Sequence, residues 1–239
     1  MFKNGLNHHV GFESFVVSEC NKMAYDACMS VASENAGHFV AVHGPNACGK
    51  SHLLAVAKER YQHMYPDHSV LMFTCAEFIE DYVRSLEERR QRAFRQQICK
   101  NDLLIIDDME FAVGKSVSLK TFTCWFKYMI EHDKNVLIAF DCDIKCLEKM
   151  LWTMSQTSRS SITAEMLEPD VTIRKACLEM ICQDISLNIS DSVKKLIVNS
   201  RSIPFYAIRG CLLRISATQT LLNRTMTHQE ILACINDYA

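Results

Sequence analysis

Glycine and proline are scarce in this sequence, at 7 and 4 of 239 residues, and they do not cluster. Their scarcity excludes a Gly/Ser-rich or Pro-rich linker and a low-complexity tail. No run of about 18 apolar residues occurs, so the sequence predicts no membrane-spanning helix. The N-terminal residues MFKNG lack the apolar core of a secretory signal. We therefore expect a soluble, cytoplasmic protein that has no membrane partner.

Positive charge is not in excess either. The chain has 26 Lys and Arg against 28 Asp and Glu, which gives a formal net charge of −2. A protein that holds duplex DNA by bulk electrostatics carries a marked positive excess. Any contact with nucleic acid must therefore come from a local basic patch.

Cysteine is abundant, with 12 residues, but no CxxC pair occurs. Structural zinc sites need ligand pairs at short, fixed spacing. The cysteines are better explained as small apolar side chains in a reducing compartment.

Short apolar segments alternate with helical segments over the first two thirds of the chain. One of the helical segments is a long charged region over 76–97. This alternation predicts an α/β fold with a parallel sheet. From Val171 onward, only helical spacing is present. We divide the chain into an α/β domain, residues 1–170, and a small all-helical domain, residues 171–239. The four predicted strands are His38–His43, Ser69–Thr74, Leu103–Ile106 and Asn135–Phe140.

A phosphate-binding loop (P-loop) follows the first predicted strand and precedes a predicted helix, which is the context that such a motif requires. Its N–H groups and the helix N-terminus would face the β-phosphate of ATP or ADP. Lys50 would reach the β- and γ-phosphates, and the Ser51 hydroxyl would ligate Mg²⁺. The loop pattern G-x-x-x-x-G-K-S is formed by Gly44, Pro45, Asn46, Ala47, Cys48, Gly49, Lys50 and Ser51.

Two acidic residues follow the apolar segment Leu103–Ile106, as in a Walker B strand. Asp107 would orient Mg²⁺, and Asp108 would position or activate the attacking water. Asp141 follows the next predicted strand. It is either a residue that senses the γ-phosphate or a helix cap, and spacing alone does not separate the two.

Arginines complete the inventory of charged candidates. Arg159 and Arg209 are suited to meet charge on a γ-phosphate, but solvated arginines would look the same in sequence. The segment 82–100 is either a solvated helix face or a surface that follows the backbone of single-stranded DNA. Its arginines are Arg84, Arg89, Arg90, Arg92 and Arg95.

Several of these motifs together resemble AAA+ ATPases, and among them the family of the bacterial replication initiator DnaA and its short relative Hda. Gly49–Leu54 resembles the family's GKTHLL, and Leu103–Asp108 with the following residues resembles its LLIDDIQFLAGK block. Ser158-Arg159 is similar to the family's arginine-finger element, and Ile208-Arg209 is similar to its sensor-2 element. The resemblance covers almost the whole chain.

The resemblance assigns roles to residues that spacing leaves undecided. It implies that Val16, Val17 and Asn21 line an adenine pocket. It also implies that Asp141 follows the sensor-1 position, where Phe140 replaces the family's Ser.

The same resemblance concerns assembly and DNA. It implies that Arg159 reaches the nucleotide of a neighbouring subunit, that Arg209 contacts the γ-phosphate, and that residues 77–100 contact single-stranded DNA. No duplex-reading helix-turn-helix domain fits within these residues.

We therefore expect an ATP-binding protein that initiates or regulates chromosomal replication by nucleotide-dependent assembly with itself or with a full-length initiator. It would hydrolyse ATP slowly. Two alternatives remain open: an Hda-like adaptor that stimulates hydrolysis by an initiator, and a helicase-loader-like ATPase that binds single-stranded DNA.

Overall fold

The structure is a computed structural model that describes residues 15–33, 37–141, 143–157, 160–200 and 203–236. Its strands are β1 (His38–His43), β2 (Val70–Thr74), β3 (Leu103–Asp107), β4 (Asn135–Phe140) and β5 (Ser160–Glu165). Its α-helices are α1 (Lys22–Ser33), α2 (Lys50–Met64), α3 (Cys75–Glu87), α4 (Gln91–Cys99), α5 (Ser116–Glu131), α6 (Glu148–Thr157), α7 (Val171–Asp184), α8 (Asp191–Asn199), α9 (Ile208–Leu222) and α10 (His228–Asn236).

The strands form a parallel sheet in the order β2-β3-β4-β1-β5. The predicted α/β fold class with a parallel sheet is thereby confirmed, and each of the four predicted strands is present. Strands β3, β4 and β1 are consecutive neighbours, so their carboxyl ends lie side by side at one edge. Ligands of open α/β sheets bind at this edge.

Strand β5 was not predicted from the sequence. Among the described strands it pairs only with β1, in parallel, and therefore lies at the edge of the sheet. Its sequence, SSITAE, is mostly polar. Strands that are buried on both faces read as apolar runs, as β3 and β4 do, but an edge strand does not have to.

The two faces of the sheet carry separate parts of the core. Successive residues of a strand point to opposite faces, so Phe39 and Val40 of β1 belong to different clusters. The cluster on one face includes buried residues of α1 and α2, and that on the other includes residues of α3 to α6. Phe78 of α3 and Phe122 of α5 pack with ring centroids 4.2 Å apart in the second of these.

The predicted charged helical region consists of two helices, α3 and α4. Thr74 caps α3 through a reciprocal pair of bonds, in which its hydroxyl accepts from the Glu77 N–H and the Glu77 carboxylate accepts from the Thr74 N–H. The break between the helices contains Arg89, whose φ of +54° is left-handed. The charged region is therefore helical on both sides of one interruption.

Contacts divide the chain into two units, and the second comprises Val16–Cys20 together with the residues from Glu168 onward. Its described part from α7 to α10 contains no strand, as predicted. Its core is apolar and includes Leu178, Ile197 and Leu212, which are fully buried. In the division predicted from the sequence, Val16–Cys20 belong to the α/β domain.

Arg174 of α7 closes the C-terminal end of α8 within the second unit. Its Nε donates to the carbonyl of Val198 at 2.9 Å. Its guanidinium NH₂ donates to the carbonyls of Ser200 at 2.9 Å, Ile203 at 3.0 Å and Ile197 at 3.3 Å. Because the last carbonyls of a helix have no partner within the helix, this one side chain supplies donors that α8 lacks.

Candidate nucleotide site

The P-loop connects β1 to α2, where the sequence placed it. Gly49 precedes α2 in a left-handed conformation, with φ +104°. At Gly44, φ is +157°, and a Cβ atom would lie 2.1 Å from the carbonyl oxygen of Met166. Met166 follows β5, and its N–H donates to the His43 carbonyl at 2.7 Å. Only glycine lets the start of the loop approach the end of β5 this closely.

The central residue of the loop, Ala47, is exposed and has φ +60°. This region costs an L-residue with a Cβ atom about 1–2 kcal/mol. Such strain persists only where the surrounding structure determines the backbone. Here the neighbouring residue Cys48 is buried and anchors the loop.

Lys50 is 9% exposed, and its ammonium is held inside the loop. Its Nζ donates to the carbonyls of Gly44 and Pro45, at 2.9 Å each. These two bonds satisfy a buried charge that would otherwise be costly. They also hold the ammonium next to the first two residues of the loop.

Asp107 ends β3 and is 3% exposed. Asp108 follows in a left-handed conformation, φ +56° and ψ +43°, and its N–H donates to Asp107 Oδ1 at 3.0 Å. Burial raises the pKa of the Asp108 carboxyl, and the charges of Asp107 and Asp141 raise it further, whereas Lys50 lowers it. The predicted Lys50, Asp107, Asp108 and Asp141 are thus brought into electrostatic contact.

Glu110 joins this cluster, although the sequence analysis gave it no role. It lies in the short 3-10 helix Met109–Ala112, and its Oε2 accepts from the Asp141 N–H at 3.2 Å. Burial raises the pKa of the Glu110 carboxyl, and the negative charges of Asp141 and Asp108 raise it further. Glu110 therefore connects the end of β3 to the end of β4.

Phe140 occupies the last position of β4, next to Asp141. It is fully buried, and its ring stacks on that of His43 at 5.6 Å. His43 is the last residue of β1 and immediately precedes the P-loop. The aromatic pair thus fixes the two strand ends next to each other, while the main-chain N–H of Asp141 is held by Glu110.

The donor set fits a magnesium ion that is held mainly by phosphate oxygens. Ser51 is exposed in the first turn of α2, and Asp107 offers a carboxylate at the neighbouring edge. Among the described residues, no group of three or more His, Cys, Asp and Glu side chains is arranged to hold a metal ion. Mg²⁺ in such sites takes one or two protein ligands together with substrate phosphates and water, so a protein cage is not required.

An aromatic cluster at the start of α2 was not predicted. Phe15 contacts His52 edge-on at 5.1 Å and stacks with Tyr25 at 5.8 Å. Burial lowers the pKa of His52. The cluster packs Phe15 and α1 against the helix that follows the P-loop.

The residues predicted for the adenine pocket belong to different units. Asn21 is 3% exposed and lies just before α1, in the first unit. Val16 and Val17 belong to the second unit, and Val17 is 39% exposed. Their shared role stays a prediction.

Of the two arginines predicted to meet the γ-phosphate, Arg159 lies outside the described residues. Arg209 is the second residue of α9 in the second unit. It is exposed, and within the described part of the chain it forms no ion pair or hydrogen bond. Its role at the nucleotide stays a prediction.

The five arginines of the segment 82–100 are all exposed but have different surroundings. Arg84 pairs with Asp81 at 3.2 Å, and Arg90 pairs with Glu88. The guanidinium of Arg95 lies over the Tyr128 ring of α5, 5.0 Å from its centroid. The remaining two are Arg89, at the break between the helices, and Arg92.

Comparison with known proteins agrees with this geometry. The family of the bacterial DnaA ATPase domain matches residues 6–163. The chain belongs to this family. The chromosomal replication initiator protein DnaA of Clavibacter sepedonicus is 28% identical over 222 residues, which cover 92% of this chain and 46% of that protein. The chain thus spans about half the length of its curated DnaA relatives.

Solved DnaA structures have the same fold. Domain III of the Thermotoga maritima replication initiation protein DnaA superposes with a TM-score of 0.85 at 22% identity, covering 98% of both chains. A replication initiator DnaA bound to AMPPCP and single-stranded DNA gives a TM-score of 0.76 at 21% identity, covering 92% of this chain and 70% of that one. In the described part of this DnaA-family chain, no helix has the length and apolarity needed to cross a membrane.

Proposed function

We propose that this chain is an ATP-binding switch of the DnaA family that acts in the initiation or regulation of chromosomal replication. The observation that carries the proposal is the edge formed by β1, β4 and β3. The P-loop leaves the first of these strands, Asp141 follows the second, and Asp107 ends the third. This is the arrangement that a nucleoside triphosphate with Mg²⁺ requires.

Each residue of the edge has a defined task in the proposal. Lys50 exchanges its two carbonyl partners for β- and γ-phosphate oxygens, while the loop N–H groups bind the β-phosphate. Ser51 and Asp107 hold Mg²⁺, which neutralises charge on the phosphates when bound. Asp108 positions the attacking water and accepts its proton.

Hydrolysis is slow in this proposal, so the bound nucleotide acts as a switch. Val16, Val17 and Asn21 hold the base, and Arg209 contacts the γ-phosphate. Arg159 is supplied by a neighbouring subunit, either another copy of this chain or a full-length initiator. Because ATP offers Arg159 a γ-phosphate that ADP lacks, ATP shifts the population from single to assembled molecules.

Single-stranded DNA is the second proposed partner. The relative bound to AMPPCP and single-stranded DNA supports this. The exposed arginines of α3, α4 and the break between them support it too, since a chain with net charge −2 needs such a local patch to bind a polyanion.

The test combines nucleotide binding with light scattering. Titration with a fluorescent ATP analogue should show Mg²⁺-dependent binding that Lys50→Ala removes. Size-exclusion chromatography with light scattering should then show a larger species with ATP than with ADP, either alone or with a full-length initiator. Arg159→Ala should bind ATP normally but fail to assemble.

The two parts of the proposal fail separately. Absence of ATP binding in the unsubstituted chain would remove the whole proposal. Normal ATP binding with the same mass in ADP, in ATP and with the initiator would remove the assembly mechanism only.

A further inference from the structure

Glu110 stands at a position where the chain departs from the motif of its family. The block LLIDDIQFLAGK aligns with Leu104–Lys115, and the Gln of that block corresponds to Glu110. The two side chains have nearly the same shape and both can accept a hydrogen bond, but only ionised Glu carries a charge. Relative to the family's motif, the chain therefore has one more negative charge at the edge of the sheet where the nucleotide site lies.

The Glu110 carboxylate is held one strand away from the start of the P-loop. Its Oε2 accepts from the Asp141 N–H at 3.2 Å. Asp141 directly follows Phe140, and Phe140 is paired in register with His43, the residue before Gly44. Neighbouring strands lie about 4.8 Å apart. The bond to Asp141 thus fixes the carboxylate close to the place where phosphates would enter.

Negative charge exceeds positive charge at this edge. The ammonium of Lys50 is near enough to Asp108 to interact with its charge. Lys115 is close enough to Glu110 for both to act on the buried thiol of Cys75. These two cations are outnumbered by the four carboxylates of the edge, which belong to Asp107, Asp108, Glu110 and Asp141. Each added carboxylate makes the edge less favourable for an incoming anion.

Main-chain groups stabilise the ionised form of Glu110. Burial raises the pKa of this carboxyl, and the charges of Asp141 and Asp108 raise it further. The N–H groups of Glu110 itself and of Asp141 donate to the carboxylate and lower the pKa. Hydrogen bonds to an ionised acceptor are stronger than those to a neutral one. The N–H donors therefore hold a charge in a place where the neighbouring carboxylates oppose it.

ATP and ADP differ at this edge by one phosphate group and one negative charge, whether or not Mg²⁺ is bound. A fixed carboxylate repels both nucleotides, but it repels ATP more because ATP carries the larger charge. We infer that Glu110 determines nucleotide specificity: its carboxylate, held at the end of β4 by the Asp141 N–H, lowers the preference of the site for ATP over ADP. The inference rests on the proposed nucleotide binding and deepens it, because it states how readily ADP competes for the switch.

Three variants separate the charge of Glu110 from its hydrogen bond. Glu110→Gln removes the charge but keeps an oxygen that can accept from the Asp141 N–H. Glu110→Asp keeps the charge but is one methylene shorter, so its carboxylate is withdrawn from that N–H. Glu131→Gln is the control for net charge, since Glu131 ends α5 shortly before β4 begins and so lies toward the opposite edge of the sheet. Its side chain is about half exposed and pairs loosely with Lys127, at 3.8 Å.

The assay is displacement of a fluorescent ADP analogue by ATP and by ADP in the presence of Mg²⁺. It is run at about pH 8, far above the ordinary pKa of a Glu side chain. A non-hydrolysable ATP analogue is measured in parallel, so that turnover does not distort the value for ATP. The quantity compared is the Kd for ADP divided by the Kd for ATP. Damage to the fold would weaken both nucleotides and would not raise this ratio.

Glu110→Gln should raise the ratio by about 10-fold, because the interaction of two unit charges about 8 Å apart is worth roughly 2-fold in bulk water and roughly 30-fold near a protein surface. Glu110→Asp and Glu131→Gln should keep the ratio of the unsubstituted chain. The gain in Glu110→Gln should shrink as the salt concentration rises, since salt screens charges. A purely steric effect would not depend on salt.

The outcomes separate this inference from the proposed function. An unchanged ratio in Glu110→Gln would overturn the inference and leave nucleotide binding in place. An equal rise in Glu110→Asp would overturn it as well, because the hydrogen bond and not the charge would then set the ratio. An equal rise in Glu131→Gln would show an effect of net charge alone and would also overturn it. Failure of the unsubstituted chain to bind either nucleotide would remove the proposed function itself.

Discussion

Substituting Gly44 by alanine tests the contact that anchors the P-loop to β5. A Cβ atom at this position would lie 2.1 Å from the Met166 carbonyl oxygen, whereas ordinary contact begins at 3.4 Å. The end of β5 must therefore move away by about 1 Å. Because that carbonyl is main chain, no rotamer change can absorb the displacement.

The magnitude has three parts. A Cβ atom at positive φ costs about 1–2 kcal/mol, steric overlap in a packed region costs about 1–3 kcal/mol, and loss of the bond between the Met166 N–H and the His43 carbonyl costs about 1 kcal/mol. We expect Gly44→Ala to lower the free energy of unfolding of the first unit by about 3–6 kcal/mol and to weaken ATP binding. Gly114→Ala is the matched control: it also has positive φ, +79°, but its Cβ would meet nothing within 4 Å. It should cost only about 1–2 kcal/mol.

Urea unfolding followed by tryptophan fluorescence is the suitable assay. Both tryptophans, Trp125 and Trp152, belong to the first unit, so the signal reports on that unit alone. Equal losses for the two alanine variants would refute the steric reasoning, because only the shared backbone cost would then remain.

Three further predictions concern single side chains. Asp108→Asn should keep ATP binding but abolish hydrolysis, measured as phosphate release, because the amide cannot accept the proton of the attacking water; turnover at the original rate would exclude Asp108 as the base. Arg174→Met should destabilise the end of α8 by about 2–4 kcal/mol, since several carbonyls lose their donor. Amide hydrogen exchange should become faster at the end of α8 in this variant, whereas the exposed control Lys175→Met should leave the exchange rates there unchanged. The pKa of Glu230 is lowered to about 2 by Arg224 and Thr227, so the contribution of the Glu230 carboxylate to stability is complete above its ordinary pKa of 4.5 and is lost as the pH falls toward 2. Glu230→Gln should therefore flatten the acid unfolding curve between pH 4.5 and 2. An unchanged curve would contradict the assignment.

The parts of the fold that were predicted from the sequence have local signals. Strands β3 and β4 are wholly buried and read as continuous apolar runs. The P-loop combines a fixed spacing with a strand before it and a helix after it. Strand β5 lacked such a signal, because it is a polar strand that contacts the sheet through one neighbour only.

The missed parts of the candidate site depend on contacts between distant segments. Glu110 reaches the main chain of Asp141, 31 residues away in sequence. Arg92 of α4 and Lys120 of α5 line one groove, and no spacing within either helix shows that. Such pairs follow from packing of the helices, which the sequence pattern does not determine residue by residue.

The contact between Gly44 and Met166 has a mechanical consequence. The first residue of the P-loop lies against a residue that is two positions before Glu168, where the chain passes into the second unit. Two of the three atoms that a Cβ at position 44 would meet are main-chain atoms of Met166. A displacement of the loop at Gly44 would therefore press on the main chain at the end of β5, within the first unit.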